Sequence, residues 1–373
     1  AGAELVRLLT AHPEAEISAL SSVSFEGDKL SDVYTSNTFL NDMICENQDA
    51  VVEKSDVIFA ALPHGLSQEL AAKCIDAGKA FIDLGADFRL ESEEEYTEWY
   101  GGTFLDKKLH EQAVYGLPEF FRDKIKGKKL VANPGCYTTC SPLAIAPAIV
   151  NGLVSTKGII CDCKSGVTGA GRKPNQGNHY PELNEGFHAY KVASHRHTPE
   201  IEQTLSKLSG EKVIITFVPH LLPVNRGILA TVYADIKDGV TFEQIRKAYE
   251  DFYKDEFFVR LLDDGKCADI HNIKYSNFCD VSIHHDKRAN KLVACAAIDN
   301  MVKGAAGQAI QNRSNTNRNL AIGLSTVATA PIGIGTTAGK SGIQWLTSYA
   351  GREAAKNATI GGTISAGSQL LND

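Results

Sequence analysis

No stretch of this chain of 373 residues approaches the roughly 18 uncharged apolar residues that a membrane-spanning helix needs, and none reads as the apolar core of a secretory signal. A basic excess is also lacking. The 38 Lys and Arg residues stand against 45 Asp and Glu, a net charge of −7, which speaks against a nucleic-acid or anionic-membrane surface. An anionic small-molecule substrate would therefore need a local basic pocket. Paired C-x-x-C motifs are missing as well; the nine cysteines are odd in number and scattered through a chain too long to need disulfide staples, so a reducing, cytoplasmic compartment is expected. There is no internal repeat. Residues 1–9 already read as an amphipathic helix with no strand before them, so the chain is expected to begin inside a domain.

What is present is the composition of an ordinary globular protein long enough for two well-filled domains. Short apolar runs at 16–22, 57–62, 80–84 and 129–132 alternate with helix-like stretches such as 68–77 and 141–150. That alternation predicts an α/β fold whose parallel sheet is covered on both faces, a doubly wound Rossmann-type dinucleotide-binding domain over residues 1–135 with its first strand missing. Ligands of such sheets sit at the loops leaving the carboxyl ends of the strands. Beyond residue 150, strands are expected at 158–163, 213–218 and 226–233 and helices at 199–208 and 242–253, an α+β catalytic and oligomerisation domain with a mixed sheet over 136–298. A helix at 302–311 within the segment 299–324 is expected to return to the first domain. The Gly-, Thr-, Ser- and Ala-rich tail 325–373 is left unassigned. Its stretch 335–341 suggests a phosphate-binding loop, but that motif requires glycine where Ile334 stands.

The stretch Asn133-Pro134-Gly135-Cys136-Tyr137 puts a cysteine on a turn between an apolar strand and a helix. Free backbone N–H groups and the helix dipole favour a thiolate at such a corner, and the thiolate is the nucleophilic form. Cys140, one helical turn on, reads as packing. His195 and His197 flank Arg196 just before Thr198-Pro199-Glu200, where threonine is expected to cap a helix that proline opens. In extended chain the two imidazoles would face the same way. Two zinc ligands fit that spacing, but no third of convincing spacing exists, and no metal is expected. A group that titrates near neutrality suits acid–base work, which makes His197, with His195 beside it, the candidate partner of Cys136.

Eight motifs, in order, resemble one family, the N-acetyl-gamma-glutamyl-phosphate reductases, relatives of the aspartate-semialdehyde dehydrogenases. They are Leu62-Pro63-His64-Gly65, Asp83-Leu84-Gly85-Ala86-Asp87-Phe88-Arg89, Val114-Tyr115-Gly116-Leu117-Pro118-Glu119, the cysteine turn, Gly166-Val167-Thr168-Gly169-Ala170-Gly171-Arg172, His195-Arg196-His197-Thr198-Pro199-Glu200, Pro219-His220-Leu221 with Arg226-Gly227, and Lys303-Gly304-Ala305-Ala306-Gly307-Gln308. The resemblance spans residues 1 to about 324. Gly2 looks like the last glycine of the family's dinucleotide loop, whose earlier glycines and strand are absent, and 313–318 with the tail match nothing in the family.

The resemblance implies reduction of N-acetylglutamyl phosphate to its semialdehyde by NADPH in arginine biosynthesis. A thioester on Cys136 suits that reaction, because a thioester carbonyl takes a hydride where a carboxylate does not. Arg89 looks like the family's phosphate-binding arginine; Arg196 and Arg226 are candidates for the substrate carboxylate, since guanidinium forks match such groups. The strand ending at Ser21 and Ser22 lacks the acid that would hold a free ribose 2′-hydroxyl, which favours NADP over NAD. Pro63, His64 and Gly65 sit where the family's cofactor passes, and Asn300 looks like the asparagine that meets the nicotinamide. The family also implies a homo-oligomer, dimer or tetramer. Two other readings stay open: a cofactor-free cysteine hydrolase or acyltransferase, and an inactive assembly subunit lacking the cofactor loop.

Overall fold

The computed structural model describes residues 1–40, 43–171 and 174–316. The tail 325–373 with its 335–341 stretch, Arg172, and the part of segment 299–324 after residue 316 lie outside the described residues. The chain opens with the helix Gly2–Thr10. Strands follow as β1 (Leu20–Ser21), β2 (Cys45–Glu46), β3 (Val57–Ala60), β4 (Ala80–Asp83), β5 (Val114–Tyr115), β6 (Leu130–Ala132), β7 (Ile159–Gly166), β8 (His188–Ala189), β9 (Ile215–Leu222), β10 (Ile228–Asp235), β11 (Val259–Leu261), β12 (Cys279–Asp286) and β13 (Lys291–Ile298).

The expected parallel sheet is present in the order β3-β4-β6-β5, every pairing parallel. Its strands are short and apolar because both faces are covered. Leu70, Ala71 and Cys74 of helix Gln68–Asp76 pack on Ile58, Phe81 and Leu130 on one side. On the other, Leu5, Phe121, Ile125, Ala309 and Ile310 pack on Ile82 and Val131. The strand expected at 16–22 shortens to β1, which pairs in parallel with β2 alone. Residues 16–19 are exposed or half-exposed, so little burial supports a longer strand there. Val114–Tyr115 adds a strand not foreseen.

The second sheet is mixed, in the order β11-β12-β13-β10-β7-β9-β8. Its inner face buries Cys161, Cys163, Ile228, Ala230 and Val232 against the helices Cys136–Val150, Thr198–Ser209 and Phe242–Tyr253. The helix expected at 141–150 begins five residues earlier, at Cys136, because the hydroxyls of Thr138 and Thr139 both reach the Gly135 carbonyl and carry the helix back to the turn. Almost every side chain of this helix is buried, as befits one apolar all round. Pro147 within it removes the N–H that would bond the Leu143 carbonyl. The phenol of Tyr253 donates to that carbonyl instead, at 2.5 Å. No helix among the described residues is long and apolar enough to cross a membrane.

Candidate active site

Cys136 is the first residue of its helix, with Gly135 as the N-cap. Gly135 is required there by its neighbours: a Cβ at this position would fall 2.4 Å from His197 Nε2 and 2.9 Å from Arg89 Nη1. A second glycine closes the other side, since a Cβ on Gly304 would fall 2.8 Å from Cys136 Cβ. The thiol is thus set between two backbone segments that allow no side chain, with an imidazole and a guanidinium beside its turn.

Glu200 holds this arrangement together. Fully buried, its Oε1 accepts from Gly135 N at 3.0 Å, Thr138 Oγ1 at 2.6 Å and Tyr115 OH at 2.7 Å, while Oε2 lies 3.4 Å from Arg89 Nη1. One carboxylate therefore fixes the nucleophile turn and the arginine together. Arg89 also donates to the Leu84 carbonyl at 2.8 Å and leaves its buried Nε without a partner among the described residues. From the sequence Glu200, Tyr115 and Gly304 stand only inside longer motifs with no role of their own, and Thr138 is not singled out.

The histidines differ from expectation. Residues 194–197 are not extended; Thr198 N bonds to the His195 carbonyl and His197 N donates to His195 Nδ1. The rings nevertheless meet edge to face, centroids 4.8 Å apart, with Tyr137 against both. His197 takes the N-cap position and Thr198 is already inside the helix, its hydroxyl making no capping bond. Neither imidazole is poised near neutrality. Burial, then the charges of Arg89 and Arg196, pull His197 well below the usual imidazole range, and burial with His197 nearby takes His195 down to about 2. Burial likewise outweighs the helix start at Cys136: the N–H groups of Tyr137 and Cys136 and the charge of Arg89 favour the thiolate, yet the thiol is pushed up to about 11. Both shifts favour a neutral thiol beside a neutral imidazole.

The other expected residues divide into two groups. Arg196 Nη1 lies 2.9 Å from His64 Nε2 and its guanidinium stacks over Tyr100, so it bridges toward the loop after β3. In that loop Gly65 N donates to Asp87 Oδ1 at 2.5 Å and Ser67 N to Asp87 Oδ2 at 2.9 Å, while Ser67 Oγ donates to Asp83. Two carboxylates at the end of β4 thereby shape the Pro63-His64-Gly65 turn. Burial raises Asp83 to about 6. Gly2 opens the first helix, where a Cβ would meet nothing within 4 Å, and the charge of Glu4 in that first turn is answered by Arg7 and Arg226. The His64 turn and Ser21 at the end of β1 are exposed, and Ser22 just beyond it is half-buried. By contrast Arg226 spends its fork on Glu4 and Asp299, and Asn300, 2% exposed, accepts from Gly227 N and donates to Thr168 Oγ1.

Comparison with known proteins gives a consistent result. Residues 1–128 match the family described as semialdehyde dehydrogenase, NAD binding domain, and residues 136–300 the semialdehyde dehydrogenase, dimerisation domain. The chain is 52% identical over 330 residues to an N-acetyl-gamma-glutamyl-phosphate reductase of Clostridium beijerinckii, covering 88% of this chain and 96% of that one. It is 49% identical over 332 residues to the enzyme of the same name from Brachyspira hyodysenteriae, covering 87% and 93%. Among solved structures, aspartate semialdehyde dehydrogenase II of Vibrio cholerae superposes with a TM-score of 0.63 at 15% identity, over 84% of this chain and 94% of that one. The Candida albicans aspartate semialdehyde dehydrogenase with NADP does so at 0.62 and 14%, with the same coverage. At such identities the structures speak for the fold alone.

Proposed function

The chain belongs to the N-acetyl-gamma-glutamyl-phosphate reductases of the semialdehyde dehydrogenase family, and from that premise we propose that it reduces N-acetyl-L-glutamyl 5-phosphate to N-acetyl-L-glutamate 5-semialdehyde, with phosphate release, in cytoplasmic arginine biosynthesis. The observation that carries the reading is the approach of His197 and Arg89 to Gly135, which puts a base and a cation at the turn bearing Cys136.

In this reading the acyl phosphate docks with its phosphate toward Arg89, whose buried Nε still has a proton to donate. Burial, and after it the charges of Arg89 and Arg196, hold His197 down; the arriving negative charge offsets the cationic part, and the imidazole takes up the Cys136 proton as sulfur attacks the acyl carbon. Phosphate leaves with the bonding electrons and a thioester remains on Sγ. Bound NADPH supplies the hydride that such a carbonyl accepts. His197 then gives its proton to the developing hydroxyl and takes it back as the C–S bond of the thiohemiacetal breaks, which frees the aldehyde and leaves the Cys136 thiolate to recover that proton from the imidazole. Glu200 keeps Arg89 and the cysteine turn aligned throughout.

The parallel sheet, the exposed Gly65 turn at the end of β3 and the packing of helix Gly307–Thr316 on that sheet support residues 1–135, joined by that helix, as the NADP(H)-binding part, and 136–298 as the catalytic and oligomerisation part. The outer face of the second sheet, where Ile160, Val218 and Tyr233 line a groove of about 390 Å³, supports a homo-oligomer formed through that face. The test is to mix protein with N-acetylglutamyl phosphate with and without NADPH, following phosphate release and nicotinamide absorbance. Equal loss of nicotinamide absorbance and gain of phosphate supports the reductase. Phosphate release that ignores NADPH identifies a cysteine hydrolase or acyltransferase instead, and no turnover with no NADPH binding identifies an assembly subunit.

A further inference from the structure

Asp299, fully buried just past the end of β13, serves three segments at once. Its Oδ1 accepts from the N–H groups of Met301 at 2.8 Å and Val302 at 3.1 Å, and Oδ2 from Tyr275 N at 2.6 Å. Arg226 Nη1 lies 3.4 Å from both oxygens. The same guanidinium grips Glu4 through two bonds, Nη2 to Oε2 at 2.8 Å and Nη1 to Oε1 at 3.1 Å, and lies over the Tyr275 ring. In the other direction the Asp299 carbonyl accepts from Gly304 N at 2.9 Å. Gly304 belongs to Val302–Ala306, a turn of π-helix, a winding that often marks functional segments. Its α-carbon is the surface against which Cys136 is packed.

These contacts form one continuous path. It runs from Glu4 in the first helix through Arg226 to Asp299, along the turn to Gly304, and ends on the β-carbon of the nucleophile. No group on it takes part in the acyl or proton transfers set out above. We infer that Asp299 is a positioning residue for Cys136, holding the π-turn that backs the thiol, and that Arg226 ties this setting to Glu4 on the first helix. The inference rests on Cys136 being the nucleophile and extends that reading to residues that do not touch substrate.

Asp299→Ala frees the N–H groups of Met301 and Val302 and lets the π-turn relax away from Cys136. The expected result is a fall in kcat of about ten- to a hundredfold with KM for the acyl phosphate little changed, since a displacement near 1 Å costs on that order. Iodoacetamide alkylation of Cys136 in the substrate-free protein, read by peptide mass, should change in rate by a comparable factor. That second readout needs no substrate, so it holds even if the parent reduces a different acyl phosphate. Glu4→Gln and Asp299→Asn, which alter charge with little change of shape, should be non-additive in alkylation rate, because Arg226 joins groups that do not bond each other directly. Should Asp299→Ala fail to fold, the Glu4→Gln and Arg226→Gln proteins carry the same measurement. A folded Asp299→Ala protein that melts earlier yet keeps the parent kcat and alkylation rate would overturn the inference, and so would strict additivity of the pair.

Discussion

Replacing Gly135 by alanine isolates the contact on which the site depends. The backbone of Gly135 sits at φ −70° and ψ 165°, ordinary extended geometry that alanine adopts without strain, so any effect comes from the added methyl. That methyl would lie 2.4 Å from His197 Nε2, 2.7 Å from His197 Cε1 and 2.9 Å from Arg89 Nη1. The imidazole cannot simply step back, because the rings of His195 and Tyr137 are packed against it at centroid distances of 4.8 and 5.9 Å. Restoring normal contact means a shift on the order of 1 Å, and overpacking of this kind costs about 1–3 kcal/mol of stability. The same shift moves the base relative to sulfur, for which about a hundredfold loss in kcat is expected. Urea unfolding and steady-state reduction measured on one preparation give both quantities. An alanine variant within about twofold of the parent in kcat and with an unchanged urea midpoint would refute the close packing of base, cation and nucleophile.

Glu200→Gln keeps the shape of the hub but leaves Arg89 buried without its counter-charge, so urea unfolding should report a loss of about 3–5 kcal/mol, and less when Arg89→Met is added. Lys303 and Glu119, both fully buried side chains with their charged ends 2.5 Å apart, predict the same pattern: Lys303→Met alone destabilises by about 3–5 kcal/mol and the double variant with Glu119→Gln by less. Because His195 and His197 are held below the ordinary value of 6.5, the unfolded chain takes up protons that the folded one refuses as pH falls. Their contribution is therefore complete above pH 6.5 and lost progressively below it, and His195→Asn should flatten the acid limb of a stability-against-pH curve. An unchanged limb would show that burial does not hold this imidazole neutral. With Cys136 pushed up to about 11, its alkylation in substrate-free protein should climb with pH through the alkaline range instead of levelling near neutrality.

Much of the scaffold was legible because the relevant signals are local. The apolar runs at 57–62, 80–84 and 129–132 became β3, β4 and β6, since strands buried on both faces need only be short and apolar. The corner at Cys136 was legible from Pro-Gly followed by a helix. The hub was not: Glu200 meets Thr138, Tyr115 and Arg89 across 62, 85 and 111 residues of sequence, and no periodicity encodes such a meeting. The role of Arg226 was hidden in the same way, because Glu4 reaches it from 222 residues away and turns a candidate substrate ligand into an ion-paired bridge. The imidazole and thiol states were misjudged for a third reason. Helix starts and neighbouring charges can be seen in a sequence, whereas the burial that dominates His197 and Cys136 depends on the assembled second domain.

In the proposed reaction Cys136 carries the acyl group. Mixing the protein with N-acetylglutamyl phosphate in the absence of NADPH, quenching in acid and measuring the intact and peptide masses tests it directly. The expected result is one N-acetylglutamyl group on the peptide containing Cys136, discharged on adding NADPH and absent from Cys136→Ser. A serine variant that still reduces the acyl phosphate at the parent rate, or an adduct carried by another residue, would contradict it.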